Sequence, residues 1–529
     1  MKIKKIATKI LILVCLLSIV ALLVVLLTGC ASDLDKEESK LSSYTIDIDF
    51  NDEEKTLSCS ENVLYVNKTN TALNHLCFHL YPNAFREGAK ASVVSLSDFI
   101  KAYPNGKSYG NIKIENVSVL NSTAISANIF SIEQPTYSEI AKTLNTSPID
   151  ENQYFVGGED ENILYVILKT PLYPNEKVDI KINFTVTLPN INHRFGYGNN
   201  TVNIANFYPI ACVFNNGDFD KSLYNSNGDP FYSDMANYFV NLKVPKSYVV
   251  SNTGNVVSKD EIDNKNLLNI EAKVVRDFAI VMSKEFKIMS ETIGETQIKY
   301  FYYSDENSAL SLETATKALK FFSNYIGNYP YKTLSVVQAN FVHGGMEFPN
   351  LVYISDDVTN VDTYQQVIIH EIAHQWWYNM VGSSAYSYGW LDEGLTEYST
   401  ALFYEHHPEY NIKKDTIISN AYSSYNLFVS LAEKVNGKVD TSMSRDLCDY
   451  NSDQEYVYVA YVKGMLLFDS LREIIGPKKF QKCIQNYFEE YRFQNVTPDN
   501  LIASFEKTSK TNLKNYFDAW ISGNVVLLK

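Results

Sequence analysis

The chain has 529 residues, of which 45% are hydrophobic and 20% charged, so it is long enough for two or more folded domains. Its formal net charge is −15, and it has no basic patch with interleaved aromatic residues, which argues against a nucleic-acid-binding protein. Past residue 30 the cysteines are odd in number, widely spaced and without a CxxC pair. The sequence therefore predicts neither a disulfide framework nor a cysteine metal site, and leaves a single disulfide open.

The N-terminus has the pattern of an export signal. Four lysines precede an apolar run from Ile10 to Leu27, which is followed by LTGC. These four letters are similar to the bacterial lipoprotein signal, in which the cysteine, here Cys30, is lipidated. We predict a signal peptide over residues 1–29. The alternative is an uncleaved membrane helix, because the apolar run is nearly long enough to span a bilayer. In both cases we expect the chain at the extracytoplasmic face of the cell membrane.

Residues 30–43 are polar and charged, which predicts a flexible tether. From there to residue 290, short runs alternate between apolar and polar residues, with turn-forming residues between them. This period of two predicts strands, and hence an N-terminal β-rich domain, saddle-like or sandwich-like, over residues 44–290. The clearest runs are YTIDIDF, KTLSCSENVLYVN, NILYVILKT, KVDIKINFTVTL, YFVNLKV and FAIVMSKEFKI.

After residue 290 the hydrophobic period becomes that of helices. SALSLETATKALKFFSNYIG predicts a helix, and TLSVVQANFV predicts a strand. VDTYQQVIIHEIAHQWWYNMVG predicts a helix capped by Asp362 or Thr363 and stopped by Gly382, and WLDEGLTEYSTALFYEHH predicts another that ends at Pro408. We therefore expect residues 291–529 to form a second, mostly helical domain, which makes the fold an α+β multidomain one.

The stretch VIIHEIAHQWWYNM contains His370 and His374, four positions apart, with Glu371 directly after the first histidine. On a helix both rings face the same way and can bind one metal ion. Neutral imidazoles suit Zn²⁺, whose catalytic sites use three protein ligands and leave a position for water. Glu371 lies next to that position and is placed to take a proton from the water. The alternative is a helix that packs two histidines into a core.

A third ligand is expected from WLDEGLTEY, because the spacing allows a helix end, a loop and a return beside the first helix. Glu393 in this stretch completes a set of two histidines and one glutamate, which is a known hydrolytic zinc set. We predict one zinc ion per chain, bound by His370, His374 and Glu393. Glu397, one helical turn later, either supports a ligand by hydrogen bonding or is a solvated carboxylate.

HEIAH, followed after eighteen residues by Glu393, resembles the zinc aminopeptidase family of aminopeptidase N, a branch of the gluzincins. HGGMEFPN (343–350) is similar to the GxMEN element of that family, and AYVKG (460–464) to its catalytic tyrosine stretch. The resemblance implies a thermolysin-like zinc-peptidase domain after the β-rich domain, in a short, lipoprotein-like member without the long helical C-terminal domain of many relatives. Phe348 and Asp392 depart from the asparagines that are usual in the family.

The resemblance also implies which residues bind substrate. Glu347 would bind the free α-ammonium of a peptide by a charge-assisted hydrogen bond. The backbone of Gly344, Gly345 and Met346 would lie along the peptide, since glycine allows close approach. A residue of the β-rich domain is expected near the ammonium as well, and Asn206 is the candidate.

For the reaction itself, Tyr461 takes the role of the family's tyrosine, whose hydroxyl donates a hydrogen bond to the developing oxyanion. Tyr456 matches a second tyrosine of the family more weakly. Glu371 accepts the proton of the attacking water and delivers it to the leaving amine.

The predicted function is that of a membrane-anchored, extracytoplasmic zinc aminopeptidase that removes N-terminal residues from peptides. Its expected partners are peptides with a free N-terminus and the membrane, reached through an N-terminal lipid or helix. Two alternatives remain open: a thermolysin-like endopeptidase that shares the zinc and Glu371, and a non-catalytic peptide-binding lipoprotein that keeps the fold.

Overall fold

The computed structural model describes residues 33–122, 154–525 and 527. The predicted signal peptide and Cys30 lie outside the described residues. Helix α1 (Asp33–Glu38) occupies part of the predicted tether. Within the described ranges, no helix combines the length and the apolar composition needed to cross a membrane. The five cysteines in these ranges are free thiols.

The alternating runs of the first half form strands, because successive side chains point to opposite faces of a sheet. In β1 (Ser42–Asn51), for example, Ile46, Ile48 and Phe50 are buried and the residues between them are exposed. A short α-helix, α2 (Phe99–Ala102), and a 3-10 turn, Tyr81–Phe85, interrupt the described part of this half. The remaining strands are β2 (Thr56–Val66), β3 (Leu73–His79), β4 (Asn111–Ser122), β5 (Tyr154–Gly157), β6 (Ile163–Leu172), β7 (Lys177–Thr187), β8 (Phe195–Tyr197), β9 (Val202–Ala205), β10 (Ile210–Ala211), β11 (Phe214–Asn215), β12 (Asp218–Phe219), β13 (Ala236–Pro245), β14 (Val249–Asn252), β15 (Asn255–Ile262), β16 (Lys265–Val275) and β17 (Ala279–Ser283).

These strands form several sheets. The largest has seven strands in the order β15-β16-β13-β1-β2-β7-β4, in which β1 and β13 run parallel and the other neighbours antiparallel. Two four-stranded sheets have the orders β10-β3-β6-β5 and β14-β17-β9-β8, and β11 and β12 form a hairpin. The prediction of a β-rich first half is confirmed.

In the second half a five-stranded sheet, with the order β18-β19-β20-β22-β21, accompanies the helices. Its strands are β18 (Lys287–Ile293), β19 (Thr296–Tyr302), β20 (Thr333–Ala339), β21 (Gly345–Met346) and β22 (Leu351–Ser355). A separate parallel pair consists of β23 (Val381–Ser383) and β24 (Gln494–Val496). The helices are α3 (Ser308–Tyr325), α4 (Val361–His374), α5 (Ala385–Gly389), α6 (Leu395–His406), α7 (Lys414–Asn436), α8 (Asp453–Tyr456), α9 (Lys463–Ile475), α10 (Pro477–Tyr491), α11 (Pro498–Ser509) and α12 (Lys514–Ile521).

The mostly helical second half confirms the predicted α+β class. The described residues from Leu41 onwards form one compact unit, and the predicted border at residue 290 falls inside β18, so the division into two domains at that residue stays a prediction.

Two local predictions were wrong. The N-cap of α4 is Asn360, not Asp362 or Thr363, because the Asn360 side chain accepts the backbone N–H of Thr363 at 2.9 Å. Gly382 does not stop this helix but lies in β23, after a π-helical turn. The run FAIVMSKEFKI, predicted as strand, forms parts of two strands, β17 and β18.

A buried arginine ties the β-rich half to the segment after α4. Arg276 directly follows β16, and its Nε donates to the carbonyl of Tyr378 at 2.9 Å. Its Nη1 donates to the carbonyl of Ser233 at 2.6 Å, and its Nη2 to that of Gln494 at 3.2 Å. The neighbouring Asp277 accepts the hydroxyl of Tyr378 at 2.6 Å. Because a buried charge is tolerated only when its hydrogen bonds are satisfied, these contacts fix how the two halves meet.

The packing of Gly382 against Arg276 gives a testable prediction. A Cβ atom on Gly382 would lie 2.0 Å from the guanidinium carbon. We expect Gly382→Ala to displace Arg276 and to lower the free energy of unfolding by more than about 3 kcal/mol, measured by urea denaturation.

Gly217→Ala is the matched control, because no atom lies within 4 Å of its Cβ position and only its φ of +90° opposes the change. A positive φ costs about 1–2 kcal/mol for a residue with a Cβ. Equal losses of stability in the two variants would contradict the structural role of the Gly382–Arg276 contact.

Candidate active site

Three π-helical turns adjoin the predicted catalytic residues. The first, Gln375–Met380, directly follows His374; the second, Trp390–Gly394, contains Glu393; the third, Val457–Val462, contains Tyr461. A π turn inserts an extra residue into the helix and so rotates the side chains that follow, which is why such turns are frequent at functional sites. Sequence periodicity at 3.6 residues does not reveal them, and WLDEG was predicted as ordinary α-helix.

The three predicted zinc ligands converge on one point. The Nε2 atoms of His370 and His374 lie 3.0 Å apart. Glu393 Oε2 lies 3.4 Å from His370 Nε2 and 3.3 Å from His374 Nε2. Among the described residues, no hydrogen bond reaches this buried carboxylate oxygen.

These separations fit a zinc ion. Ligand atoms at about 2.0–2.1 Å from a tetrahedral Zn²⁺ lie about 3.3–3.4 Å from one another. Each ligand offers one donor atom, and His370 and Glu393 line the cavity described below. The orphaned oxygen of Glu393 is explained if it is a metal ligand. The residues present therefore match the zinc ion that the sequence predicts.

Carboxylates outside the ligand set orient both histidines. Asp392 Oδ1 lies 2.7 Å from His374 Nδ1, and the hydroxyl of Thr396 lies 3.2 Å from the same nitrogen. Glu397 Oε1 lies 3.5 Å from His370 Nδ1. Such partners fix the tautomer and ring orientation of a metal-binding histidine. Asp392, noted as a departure from the family, thus holds a ligand in place, and Glu397 is close to one as well.

Glu371 is buried against the strand that carries the glycines. A Cβ on Gly345 would lie 2.3 Å from Glu371 Oε1, so only glycine lets the carboxylate approach this backbone. Burial raises the pKa of Glu371 to about 7, against the opposing effect of the two histidines. Its Oε2 has no hydrogen-bond partner in the described part of the chain. The side chain therefore remains available for proton transfer in the cavity.

Tyr461 and Glu393 meet where two helices touch. The hydroxyl of Tyr461 donates to Glu393 Oε1 at 2.7 Å, and its ring stacks on that of His370 with centroids 6.2 Å apart. Close by, a Cβ on Gly394 would lie 2.7 Å from the Cα of Gly464. This backbone contact brings the two π turns together, so the ligand and the tyrosine become neighbours.

The ligand cluster opens into a cavity of about 420 Å³. Gly344 and Gly345 line it, as do Tyr456 and Tyr461. Met346 does not, because its side chain is fully buried while its backbone pairs with β22. The structure thus brings the predicted catalytic residues and the two glycines to one cavity. Met346 could contact a peptide there only through its backbone.

Glu347 lies just behind the cavity wall, beside a carboxylate from the other half of the chain. One oxygen from each of Asp229, Glu347 and Glu393 lies within 4.8 Å of the others. Burial, with Asp229 adding to it, raises the pKa of Glu347, whose Oε1 has no hydrogen-bond partner among the described residues. Arg194 forms an ion pair with Asp229. Asn206, the candidate from the sequence, lies beside Asp277 and does not line the cavity.

Sequence reasoning missed Asp229 and Arg194. The turn-like composition of SNGDP marks a loop but gives no sign that the loop reaches a site so distant in the sequence. Asp392 had a usable signal, since an acidic residue directly before a metal-binding glutamate can reach a neighbouring histidine ligand.

Comparisons with known proteins identify a family match for part of the chain. Residues 310–520 match the model of the peptidase family M1 domain. Aminopeptidase M1-B of Oryza sativa subsp. japonica is 26% identical over 257 residues, which is 46% of this chain and 29% of that protein. Leucine aminopeptidase 2-1 of Scheffersomyces stipitis is 29% identical over 180 residues, 32% of this chain and 29% of that protein. The matches thus span less than a third of these relatives.

Solved structures share the fold over nearly the whole chain. An M1 zinc metallopeptidase from Deinococcus radiodurans has a TM-score of 0.61 at 14% identity, covering 92% of this chain and 94% of that one. A mutant of that enzyme bound to the tripeptide Tyr-Ser-Ala also has a TM-score of 0.61, at 13% identity, covering 92% and 95%. Residues 310–520 therefore carry a peptidase family M1 domain, and the fold of the chain is similar to that of M1 zinc metallopeptidases.

Proposed function

We propose that this chain is a zinc aminopeptidase that removes the first residue of peptides with a free N-terminus. The observation that carries the proposal is the approach of Asp229 and Glu347 to within 4.8 Å of the zinc ligand Glu393. Arg194 pairs with Asp229, but one carboxylate oxygen of Glu347 has no hydrogen-bond partner among the described residues, and a second cation between the carboxylates would relieve their repulsion. The α-ammonium of a peptide is such a cation, and binding it there places the first peptide bond at the metal.

The roles of the residues follow from their positions. Zinc, when bound, supplies the Lewis acidity that lowers the pKa of a water molecule and polarises the scissile carbonyl. Glu371 accepts the proton of the attacking water and passes it to the leaving amine. Tyr461 turns its hydroxyl from Glu393 to the oxyanion that develops on the carbonyl. The backbone of Gly344 and Gly345 borders the space that the peptide occupies.

Two alternative functions, an endopeptidase and a non-catalytic peptide-binding protein, would use different residues of the site. An endopeptidase uses the same zinc and the same base but has no need for carboxylates beside the first residue. A peptide-binding protein without catalysis needs neither Glu371 nor the hydroxyl of Tyr461. Both are outcomes of the experiment below.

One prediction concerns the free α-amine of the substrate. We expect aminoacyl fluorogenic amides to be cleaved and their N-acetylated counterparts not, with activity lost on chelation and restored by zinc. Glu347→Gln and Asp229→Asn should each lower kcat/KM for the free amides by at least about 30-fold, because losing one partner of a buried charge pair costs about 2–5 kcal/mol.

The controls for these variants are zinc content and circular dichroism, which should be unchanged. Equal cleavage of blocked and free substrates would favour the endopeptidase. A zinc-loaded protein that cleaves neither set would favour the binding protein.

The second prediction concerns zinc affinity. Asp392→Ala removes the acceptor for His374 and should weaken zinc binding by about 10–100-fold, measured by competition with a chromophoric chelator. Asp392→Asn keeps an acceptor oxygen at the same place, so we expect a much smaller loss. If both variants lose affinity equally, the negative charge of Asp392 acts on the zinc and the hydrogen bond does not.

We also propose that the protein is exported and held at the membrane through Cys30, on the basis of the charged start, the apolar run and LTGC. In a bacterial host, the wild-type chain should sediment with membranes and carry a lipidated Cys30 as its first residue. Cys30→Ala should abolish the lipid. Membrane-bound Cys30→Ala protein that retains residues 1–29 would instead support an uncleaved helix.

A further inference from the structure

The cavity at the zinc ligands carries an excess of negative charge. Its lining residues include a single guanidinium, that of Arg194, within the ranges that the structure describes. Its carboxylates are Asp229, Glu371, Glu393, Glu397 and Asp453. Glu347 adds a further carboxyl group behind the cavity wall.

All but one of these acids have a function or a partner. Asp229 is paired with Arg194, Glu393 belongs to the ligand set, and Glu397 lies 3.5 Å from His370 Nδ1. Glu371 is the base of the proposed reaction. For the carboxylate of Asp453, the described part of the chain offers neither a hydrogen bond nor an ion pair, and the proposed chemistry does not use it.

The titratable group beside Asp453 does not neutralise it. His343 lines the same cavity and interacts with Asp453 electrostatically. Burial, aided by the charge of Arg194, lowers the pKa of His343 to about 4. The imidazole is therefore uncharged at neutral pH, and Asp453 keeps its attraction for a cation that enters the cavity.

Asp453 shares a wall with the proposed ammonium site. It is the first residue of α8, and the ring of Tyr456 one turn later packs so closely on Gly228 that a Cβ there would lie 2.7 Å from a ring carbon. The amide of Asn227 donates to the carbonyls of Leu447 and Tyr450 at 3.1 and 3.0 Å.

The contacts of Asn227 and Gly228 fix the loop Ser226–Asp229 against α8 and the segment just before it. The wall thus continues from Asp229, which would hold the ammonium, past the ring of Tyr456 to Asp453. Val457, which is 43% exposed, adds an apolar surface on the same side.

This arrangement suits a long side chain with an apolar stem and a cationic end. Resting on the proposed aminopeptidase function, we propose that the cleft selects peptides whose first residue is lysine or arginine, with the carboxylate of Asp453 binding the side-chain cation. The stem lies along Tyr456 and Val457. The competing explanation is that Asp453 serves only the N-terminus of α8, where a carboxylate is favourable in any protein.

The test compares substrates that differ in charge and little in shape. The pairs are lysyl against norleucyl amides and arginyl against citrullyl amides. In the wild-type protein we expect kcat/KM to favour the charged member of each pair by at least about tenfold, and less at high salt. Asp453→Asn should abolish the preference while leaving norleucyl and citrullyl turnover within about twofold of wild type.

Asp415→Asn is the matched control, because its side chain is 94% exposed and it removes the same charge from α7. It should leave all four rates unchanged. Wild-type rates that are equal within each pair would overturn the proposal. So would an Asp453→Asn variant that loses activity on all four substrates alike, since that is the result expected of a purely structural carboxylate.

A binding measurement separates this inference from the proposed function. Lysinamide and norleucinamide are titrated into zinc-loaded Glu371→Gln protein, with and without Asp453→Asn. Tighter binding of lysinamide that depends on Asp453 supports the selectivity even if no amide is hydrolysed. Equal binding of the two amides refutes it even if the protein is an active aminopeptidase.

Discussion

The active site depends on a close backbone contact between two glycines on neighbouring helices. Gly394 and Gly464 lie so close that a Cβ on either would meet the Cα of the other at 2.7 Å. Gly394 is the last residue of the π turn that contains Glu393, and Gly464 lies two residues after the π turn that contains Tyr461. Because the helices meet at this distance, the tyrosine hydroxyl reaches the carboxylate at 2.7 Å. A larger residue at either glycine would push the helices apart and separate the carboxylate of Glu393 from the hydroxyl of Tyr461.

The β-rich half takes part in the site and does not merely support it. Arg276 and Asp277 hold Tyr378, in the turn that follows the second histidine ligand. The loop Ser226–Asp229 forms one wall of the cavity and brings a carboxylate to Glu347. The predicted metal ligands and base come from one half of the chain, whereas the carboxylates proposed to bind a charged terminus come from both halves. In such an arrangement one part of the fold holds the zinc centre, and another part shapes the cavity beside it.

The sequence was most informative where function depends on local spacing. His370, Glu371 and His374 lie on one helix, so their relation follows from its period. Glu393 was predicted from the length of the connection, because the eighteen intervening residues allow the chain to return beside this helix. The β-rich and helical halves followed from the change of hydrophobic period. Asp229 was not predictable in this way, because its distance from Glu347 depends on how two halves pack. The π turns also escaped prediction, since they arise from tertiary packing and not from residue propensity.

The buried carboxyl groups around the predicted ligands affect the stability of the folded chain. Glu347, Glu371, Asp392 and Glu393 are each no more than 5% exposed. Without a cation between them, buried carboxyls in such proximity must take up protons or move apart. A metal that binds the folded chain alone adds its binding free energy to that of folding. Zinc binding is therefore expected to stabilise the folded chain in addition to supporting its proposed activity.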